Sequence, residues 1–519
     1  MRKEDIRRGL TEGGEMKAMP DLDRLERIIL GNLEKDASAP AVWWKERWMK
    51  GAEFIELVES TEDALRESGF GPGSRIAVFL PNSPLLWGIA VAAWKLGGAI
   101  APLNARSGIN ASLKIVEHID PVGAVLGEGM ENLAEALEGA GFPAVIAPPL
   151  GPLSRFKGRD HGGEDSDLAV IFATSGTTGA PKAVQVSHGN LIDNSLKVHQ
   201  NIEGFDTGRI LMNVLPNFHS FGFTICGVLP LCFGLPMVII PSFMPLKETL
   251  DALQSAEVSI LIAVPTMLPF LLGAVSKEGV TLPRLKYILT GGGKLDPTLE
   301  ARIRKEMGVI CFEGYGLTEC SPVVSCNPSE ADRKLGTVGP PLPGYEVQLR
   351  DLEGKALPSG REGVLWVRGP SVTSGYFRAP ELTAERFHDG WFDTGDIVSI
   401  DEDGFITILD RATDLIIVGG FNVYPQEVET VLNTHPAVKM SAAIGIHSSM
   451  SGEVVKAFVV PHEGVEVTQH ELVQYAKGHL AHYKVPRKID IVKELPLSSV
   501  GKVLRRALKE AESTGGGDL

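Results

Sequence analysis

Thr174-Ser-Gly-Thr-Thr-Gly-Ala-Pro-Lys182 follows directly on the apolar run Leu168-Ala-Val-Ile-Phe172, and the reading of that junction decides the fold. A short, near-continuous apolar run reads as a strand covered on both faces, as in parallel α/β sheets. The small residues after it expose backbone N–H groups and hydroxyls, the glycines let a ligand approach the backbone, and Lys182 adds a point charge, a set that suits a polyphosphate. The Walker pattern is excluded because it needs a Gly-Lys pair, whereas Lys182 follows a proline. Taken alone, the segment reads equally well as a surface turn rich in small residues.

Outward from this junction, from about residue 53 to 330, further runs alternate with helical patterns: Arg75-Ile-Ala-Val-Phe-Leu80, Pro236-Met-Val-Ile-Ile240, Ile260-Leu-Ile-Ala-Val264 and Tyr287-Ile-Leu-Thr290. This predicts layered α/β structure. Between about 331 and 409 strands are separated by turn residues, as in Tyr345–Leu349, Asp351–Gly354, Gly363–Gly369 and Asp401–Ile408, which predicts a small antiparallel, barrel-like β unit. After Asp410-Arg411 a helix is expected from Pro425, with Glu427 and Glu429 near its positive end. A second is expected after Thr468, which forms a capping box with Glu471. With strands at Ala437–Ile446 and Glu453–Val460, the chain beyond 411 reads as a compact α+β domain. The expected division is a large domain over 1–410 and a small one over 411–519.

Composition narrows the function classes. The 519 residues carry 50 basic and 65 acidic side chains, a net charge of -15, which argues against a general grip on nucleic acid or anionic lipid. Five cysteines with no Cys-x-x-Cys pair offer neither a disulfide framework nor a zinc motif, so a reducing compartment is expected. The N-terminal residues lack the apolar core of a secretion signal. The stretches Trp87–Leu103 and Ile225–Pro241 are broken by Lys95, glycines and prolines, and read as buried strand and helix rather than membrane spans. The expected place is the cytoplasm, with peripheral contact at the inner face of the membrane left open and the oligomeric state undetermined.

Three more segments carry chemistry. Phe312-Glu-Gly-Tyr-Gly-Leu-Thr-Glu319 offers a ring between glycines, then a hydroxyl and a carboxylate that suits Mg²⁺ beside phosphate. Trp391-Phe-Asp-Thr-Gly-Asp396 reads as a turn presenting a carboxylate to ribose hydroxyls. Pro496-Leu-Ser-Ser-Val-Gly-Lys502-Val-Leu-Arg-Arg506 presents a lysine after a glycine, which alone is a solvated basic face.

In this order and wording, the four segments and Asp410-Arg-Ala-Thr-Asp-Leu-Ile-Ile-Val-Gly-Gly-Phe-Asn-Val-Tyr-Pro-Gln-Glu-Val-Glu429 resemble the adenylate-forming (AMP-binding) superfamily, over about residues 50 to 510. Within it, Glu313–Pro328, Gly419–Glu429 and Tyr483–Arg506 are most similar to bacterial fatty-acyl-CoA ligases. The resemblance implies a large nucleotide-binding domain and a small mobile one. It also implies a two-step reaction with ATP, Mg²⁺ and coenzyme A, in which a carboxylate forms an acyl adenylate with release of pyrophosphate and a thiol then displaces AMP.

It implies these roles. Lys502 bridges carboxylate and phosphate, Thr318 touches the α-phosphate, and Glu319 holds Mg²⁺. Thr174, Ser175, Gly176, Thr177, Thr178, Gly179 and Lys182 wrap the β- and γ-phosphates. Gly291, Gly292, Gly314 and Tyr315 line adenine, and Asp396 with Arg411 holds ribose. Phe218, His219, Phe221, Val264, Met267 and Val323 line the acyl pocket, with His219 an aromatic wall rather than a base, since an ionised carboxylate needs none. The small domain rotates near 411–413 and brings Gly419, Gly420 and Phe421 to the site for coenzyme A. The family usually has Asp or Lys at the hinge position, where this chain has Thr413. Acyl carrier protein as the acceptor, or a silent fatty-acid-binding member of the fold, are the alternatives.

Overall fold

The apolar run before the small-residue segment is the strand Leu168–Thr174. The computed structural model describes residues 24–159, 167–174, 182–206, 208–358, 360–448, 452–497 and 503–513. These form two compact units, residues up to 346 with 368–390, and residues 347–367 with 391 onward.

The first unit holds two sheets covered by helices. A six-stranded sheet runs Ala144–Ala147, Gly123–Gly127, Arg75–Phe79, Ala99–Pro102, Leu168–Thr174, Lys182–Ser187 and is parallel except for its last pair. An eight-stranded sheet runs Val323–Cys326, Ile310–Gly316, Tyr287–Thr290, Ile260–Ala263, Leu211–Asn213, Met237–Ile239, Pro40–Trp44, Arg47–Lys50, with only its two edge pairs antiparallel. The central strands are mostly apolar because helices cover both faces.

The stretch Trp87–Leu103 is accordingly the end of the buried helix Pro84–Lys95 and the strand Ala99–Pro102. The stretch Ile225–Pro241 is helix and strand as expected, with one irregularity. Between Ser220–Phe223 and Leu229–Phe233 the helix widens over Thr224–Val228, where the Leu229 N–H reaches the Thr224 carbonyl. Pro230 has no N–H to donate, which removes one bond of a regular turn here, and a Cβ on Gly227 would lie 1.8 Å from the Trp87 ring, so only glycine lets that ring pack on the backbone. Phe223 is core, packed on Trp87 and Phe172 at 4.8 and 5.4 Å between centroids.

In the second unit, Glu346–Arg350, Glu362–Arg368, Trp391–Ile400 and Ile406–Arg411 pair in that order. Here the structure corrects the reading of Asp393-Thr-Gly-Asp396 as a turn, because these residues lie inside the ten-residue strand Trp391–Ile400. That strand is paired on both sides, and Thr394 Oγ1 donates to the Leu365 carbonyl at 2.7 Å. Gly395, at φ +69°, is absorbed where the register slips against Glu362–Arg368, so its freedom serves a bulge.

A second sheet of this unit runs Phe421–Val423, Ile416–Val418, Gly452–Pro461, Val438–Ser448, with Lys488–Ile491 parallel to Gly452–Pro461. The helices Pro425–Asn433 and Gln469–Lys477 start where expected, and the Thr468 hydroxyl accepts from the Glu471 N–H while the Glu471 carboxylate accepts from the Thr468 N–H. Their faces Val428, Leu432, Leu472 and Ala476 bury against the sheet.

Candidate active site

Strands Ile260–Ala263, Tyr287–Thr290 and Ile310–Gly316 run parallel in register, Ala263 beside Thr290 and Thr290 beside Glu313, so their carboxyl ends form one edge. Ligands of open α/β sheets bind outside such ends. Eight of the first-unit residues expected at the site follow these strands: Val264 and Met267 after the first, Gly291 and Gly292 after the second, and Gly314, Tyr315, Thr318 and Glu319 at and beyond the end of the third.

The strand ends approach closely. A Cβ on Gly291 would meet the Gly314 carbonyl oxygen at 3.0 Å and Phe221 Cε1 at 3.7 Å, and one on Gly292, itself at φ +78°, would meet Val264 Cγ1 at 3.7 Å. Glycine at 291 therefore lets its strand end lie against the backbone at Gly314, beside the apolar groups of Phe221 and Val264. Phe218 and His219 are half-buried with ring centroids 4.6 Å apart, and Met267 and Val323 are buried.

Thr318 and Glu319 lie on the short turn Thr318–Cys320, which several groups hold. The Thr318 and Ser220 hydroxyls are 3.1 Å apart. Asn194, fully buried, donates to the Val323 carbonyl at 2.8 Å and accepts from the Val323 N–H at 3.2 Å, and Tyr345 Oη donates to the Cys320 carbonyl at 2.7 Å.

Tyr376 Oη donates to Glu319 Oε1 at 2.8 Å. Burial, reinforced by the Glu319 charge, pushes the Tyr376 phenol far above its ordinary range, so it remains a donor. Lys182 Nζ lies 5.6 Å from the centre of the same ring. One tyrosine thus joins the candidate Mg²⁺ carboxylate to the lysine of the phosphate segment. Thr174 ends its strand in register with Lys182. Ser175, Gly176, Thr177, Thr178, Gly179 and Lys502 lie outside the described residues.

Asp396 and Arg411 belong to the second unit, paired across adjacent strands with Arg411 Nε 2.6 Å from Asp396 Oδ1. Asp396 is 3 % exposed. Thr413 is exposed. Gly419 and Gly420, both at positive φ, turn the chain between Ile416–Val418 and Phe421–Val423, and the exposed Phe421 ring stacks on Tyr483 at 4.8 Å. All five cysteines are buried, as small apolar groups.

Sequence reasoning missed Tyr376, Asn194 and Ser220. Asn194 leaves a detectable signal, since it sits between Leu191 and Val198 on the buried face of the helix His188–Asn201, where an amide needs partners. Ser220 lay inside a segment already singled out.

Glu313 gives a prediction of its own. It is 7 % exposed and accepts from the Leu295 N–H at 2.9 Å, and burial pushes its carboxyl up to about 7 against that hydrogen bond and Lys294. The folded value is raised, so the unfolded chain releases the proton first and stability falls as pH rises from the unfolded value through about 7. Glu313→Gln keeps an acceptor and removes that loss. The expected result is a higher Tm at about pH 8, worth up to about 3 kcal/mol, and no change at about pH 4. An equal shift at both pH values would count against it.

Comparison with known proteins supplies independent findings. The family model described as AMP-binding enzyme matches residues 31–377, and that of the AMP-binding enzyme C-terminal domain matches residues 427–502. A long-chain-fatty-acid–CoA ligase of Bacillus subtilis is 37% identical over 351 residues, covering 67% of this chain but 62% of that protein, so the match spans under two thirds of such relatives' length. A feruloyl-CoA synthase of Amycolatopsis sp. is 32% identical over 465 residues, 88% of this chain and 92% of that one. Among solved structures, ATP-bound MatB from Rhodopseudomonas palustris superposes with a TM-score of 0.85 at 30% identity, covering 95% of this chain and 99% of its own.

Proposed function

The chain belongs to the AMP-binding enzyme family, and from that premise we propose that it is an ATP-dependent acid–thiol ligase that activates a fatty acid and transfers it to coenzyme A. One observation carries the reading. Phe221, Val264 and the Gly291-Gly292 turn meet at the same strand ends that lead to Thr318 and Glu319, so an apolar wall and a phosphate-binding end share one sheet edge.

In the first step a carboxylate oxygen bonds to the α-phosphorus and the bond to pyrophosphate breaks. The acid is already ionised, so no general base is required. Negative charge builds at the α-phosphate, which Lys502 and Thr318 stabilise, while Lys182 and the segment 174–179 hold the outgoing phosphates and Asp396 with Arg411 holds ribose. Glu319, kept in place by Tyr376, would hold a Mg²⁺ ion, which when bound would neutralise phosphate charge. In the second step, after rotation near 411–413 brings Gly419, Gly420 and Phe421 to the site, the thiol sulfur bonds to the acyl carbon. AMP leaves with the bonding pair, and the thiol proton passes to solvent.

A second reading, an aromatic acid as substrate, is favoured by the feruloyl-CoA synthase match, which extends over far more of that relative's length. No helix among the described residues is long and apolar enough to cross a membrane. A panel of carboxylates from acetate to stearate plus aromatic acids, assayed for pyrophosphate release, tests the proposal. The expected result is release with long-chain acids, and AMP with a thioester only when coenzyme A is added. Release only with aromatic acids would move the assignment to the second reading, turnover only with holo-acyl carrier protein would replace the acceptor, and no acid-dependent release would overturn the function.

A further inference from the structure

The helix Arg505–Ser513 carries two cations four residues apart, Arg505 and Lys509, and both reach the segment 410–414. The Arg505 guanidinium grips Glu429 with two bonds, Nε to Oε1 at 3.0 Å and Nη2 to Oε2 at 2.7 Å. Its Nη1 lies 3.2 Å from Asp414 Oδ2 and 3.8 Å from Asp410 Oδ1. Lys509 Nζ donates to the Thr413 carbonyl at 3.3 Å.

The carboxylates are themselves anchored. Asp410, 1 % exposed, accepts the Gln426 N–H at 2.8 Å at the start of the helix Pro425–Asn433, and Glu429 accepts the Ala443 N–H at 2.8 Å. One guanidinium therefore joins a strand end, a helix, the segment linking them and the C-terminal helix. A planar fork gripping a carboxylate with two bonds fixes orientation as well as distance, which lysine cannot do.

The same helix starts just after the chain that carries Lys502. Leu497 and Val503 pair as an isolated antiparallel bridge, and the Leu504 N–H reaches the Pro496 carbonyl at 2.8 Å. Lys502 directly precedes Val503 of this bridge in the sequence and lies three residues before Arg505.

We infer that Arg505 is a positioning residue for adenylation: it clamps the segment 410–414, through Asp410 and Asp414, to the chain that directly follows Lys502 in the sequence. This rests on the reading of Lys502 as the adenylation lysine. Thr413 offers no charged side chain to this contact, so the clamp takes its charge from the neighbours on either side. The segment 410–414 and the chain from Val503 are then oriented as one body, and loosening the clamp frees the chain next to Lys502 without touching the nucleotide.

The test uses the full-length protein with Arg505→Met, Arg505→Lys and Asp414→Asn. Thermal melting comes first, then acid-dependent ATP–pyrophosphate exchange, then thioester formation from supplied acyl-AMP. Misplacement of a reacting group by about 1 Å costs about 100-fold, so Arg505→Met is expected to lower the exchange kcat by about 10- to 100-fold. The KM for ATP should stay within about twofold, and thioester formation from acyl-AMP within about threefold. Arg505→Lys should recover part of the exchange rate. If Arg505→Met does not fold, the Asp414→Asn protein decides, with an expected exchange loss of about threefold.

Unchanged exchange, or equal losses in both half-reactions whose size follows the loss of Tm, would show a merely structural staple and overturn the inference. If the unaltered protein shows no exchange with any acid, the functional reading fails and the inference falls with it. Exchange by the unaltered protein with an indifferent Arg505 sinks the inference alone.

Discussion

Lys502→Ala is expected to lower acid-dependent pyrophosphate release by about 100- to 1,000-fold, the loss typical of removing one group prepositioned where transition-state charge develops. Charge grows on the α-phosphate only as the acid oxygen closes on it, so the lysine should contribute to kcat more than to ATP binding. The chain itself is acidic, with a net charge of -15, so its overall field opposes the polyphosphate and local cations must supply the attraction. Thioester formation from supplied acyl-AMP involves no attack at phosphorus and, in the proposed two-step scheme, no role for Lys502, so it should remain within about threefold of the unaltered protein. Equal loss in both half-reactions would refute the assignment of Lys502 to the first.

Glu319→Gln should give the next largest effect, about 100-fold in adenylation, with the Mg²⁺ needed for half-maximal rate raised about tenfold. The carboxylate has a neutral isostere in glutamine, so packing on the turn Thr318–Cys320 is kept while the negative charge goes. Tyr376→Phe should move the same two quantities in the same direction by about tenfold, because it removes the donor that orients Glu319 and leaves the ring beneath Lys182. The measurement is a Mg²⁺ titration of pyrophosphate release at saturating acid. A Tyr376→Phe protein whose Mg²⁺ requirement is unmoved would show that the phenol does not orient the carboxylate.

Legibility of the chain divides along the range of the interactions involved. The central strands could be read because burial on both faces makes each an apolar run by itself, and the observed ends of Tyr287–Thr290 coincide with the expected ones. Tyr315, Thr318 and Glu319 fall within five positions, so a local pattern sufficed to single them out, and the structure places them at and beyond the end of one strand. Asp393-Thr-Gly-Asp396 was misread because two aspartates and a glycine look the same in a turn and in a bulge, and only the flanking strands distinguish them. Tyr376 lies 57 residues from Glu319, and Arg505 lies 91 from Asp414, separations that leave no local pattern. Thr413 showed in the sequence only what that position lacks, and the groups that surround it emerge in three dimensions.

The Asp396–Arg411 pair bears on how this chain can drift. Asp396 is almost wholly enclosed while Arg411 is half open to water, so the two positions are unequal under mutation. Replacing Arg411 removes a cation from an enclosed carboxylate, which costs more than removing the carboxylate from a cation that water already reaches. Replacing Asp396 first leaves a cation that can turn to solvent. A lineage abandoning this pair would therefore have to lose the aspartate before the arginine, and among descendants an aspartate stranded without its arginine should be the rare combination.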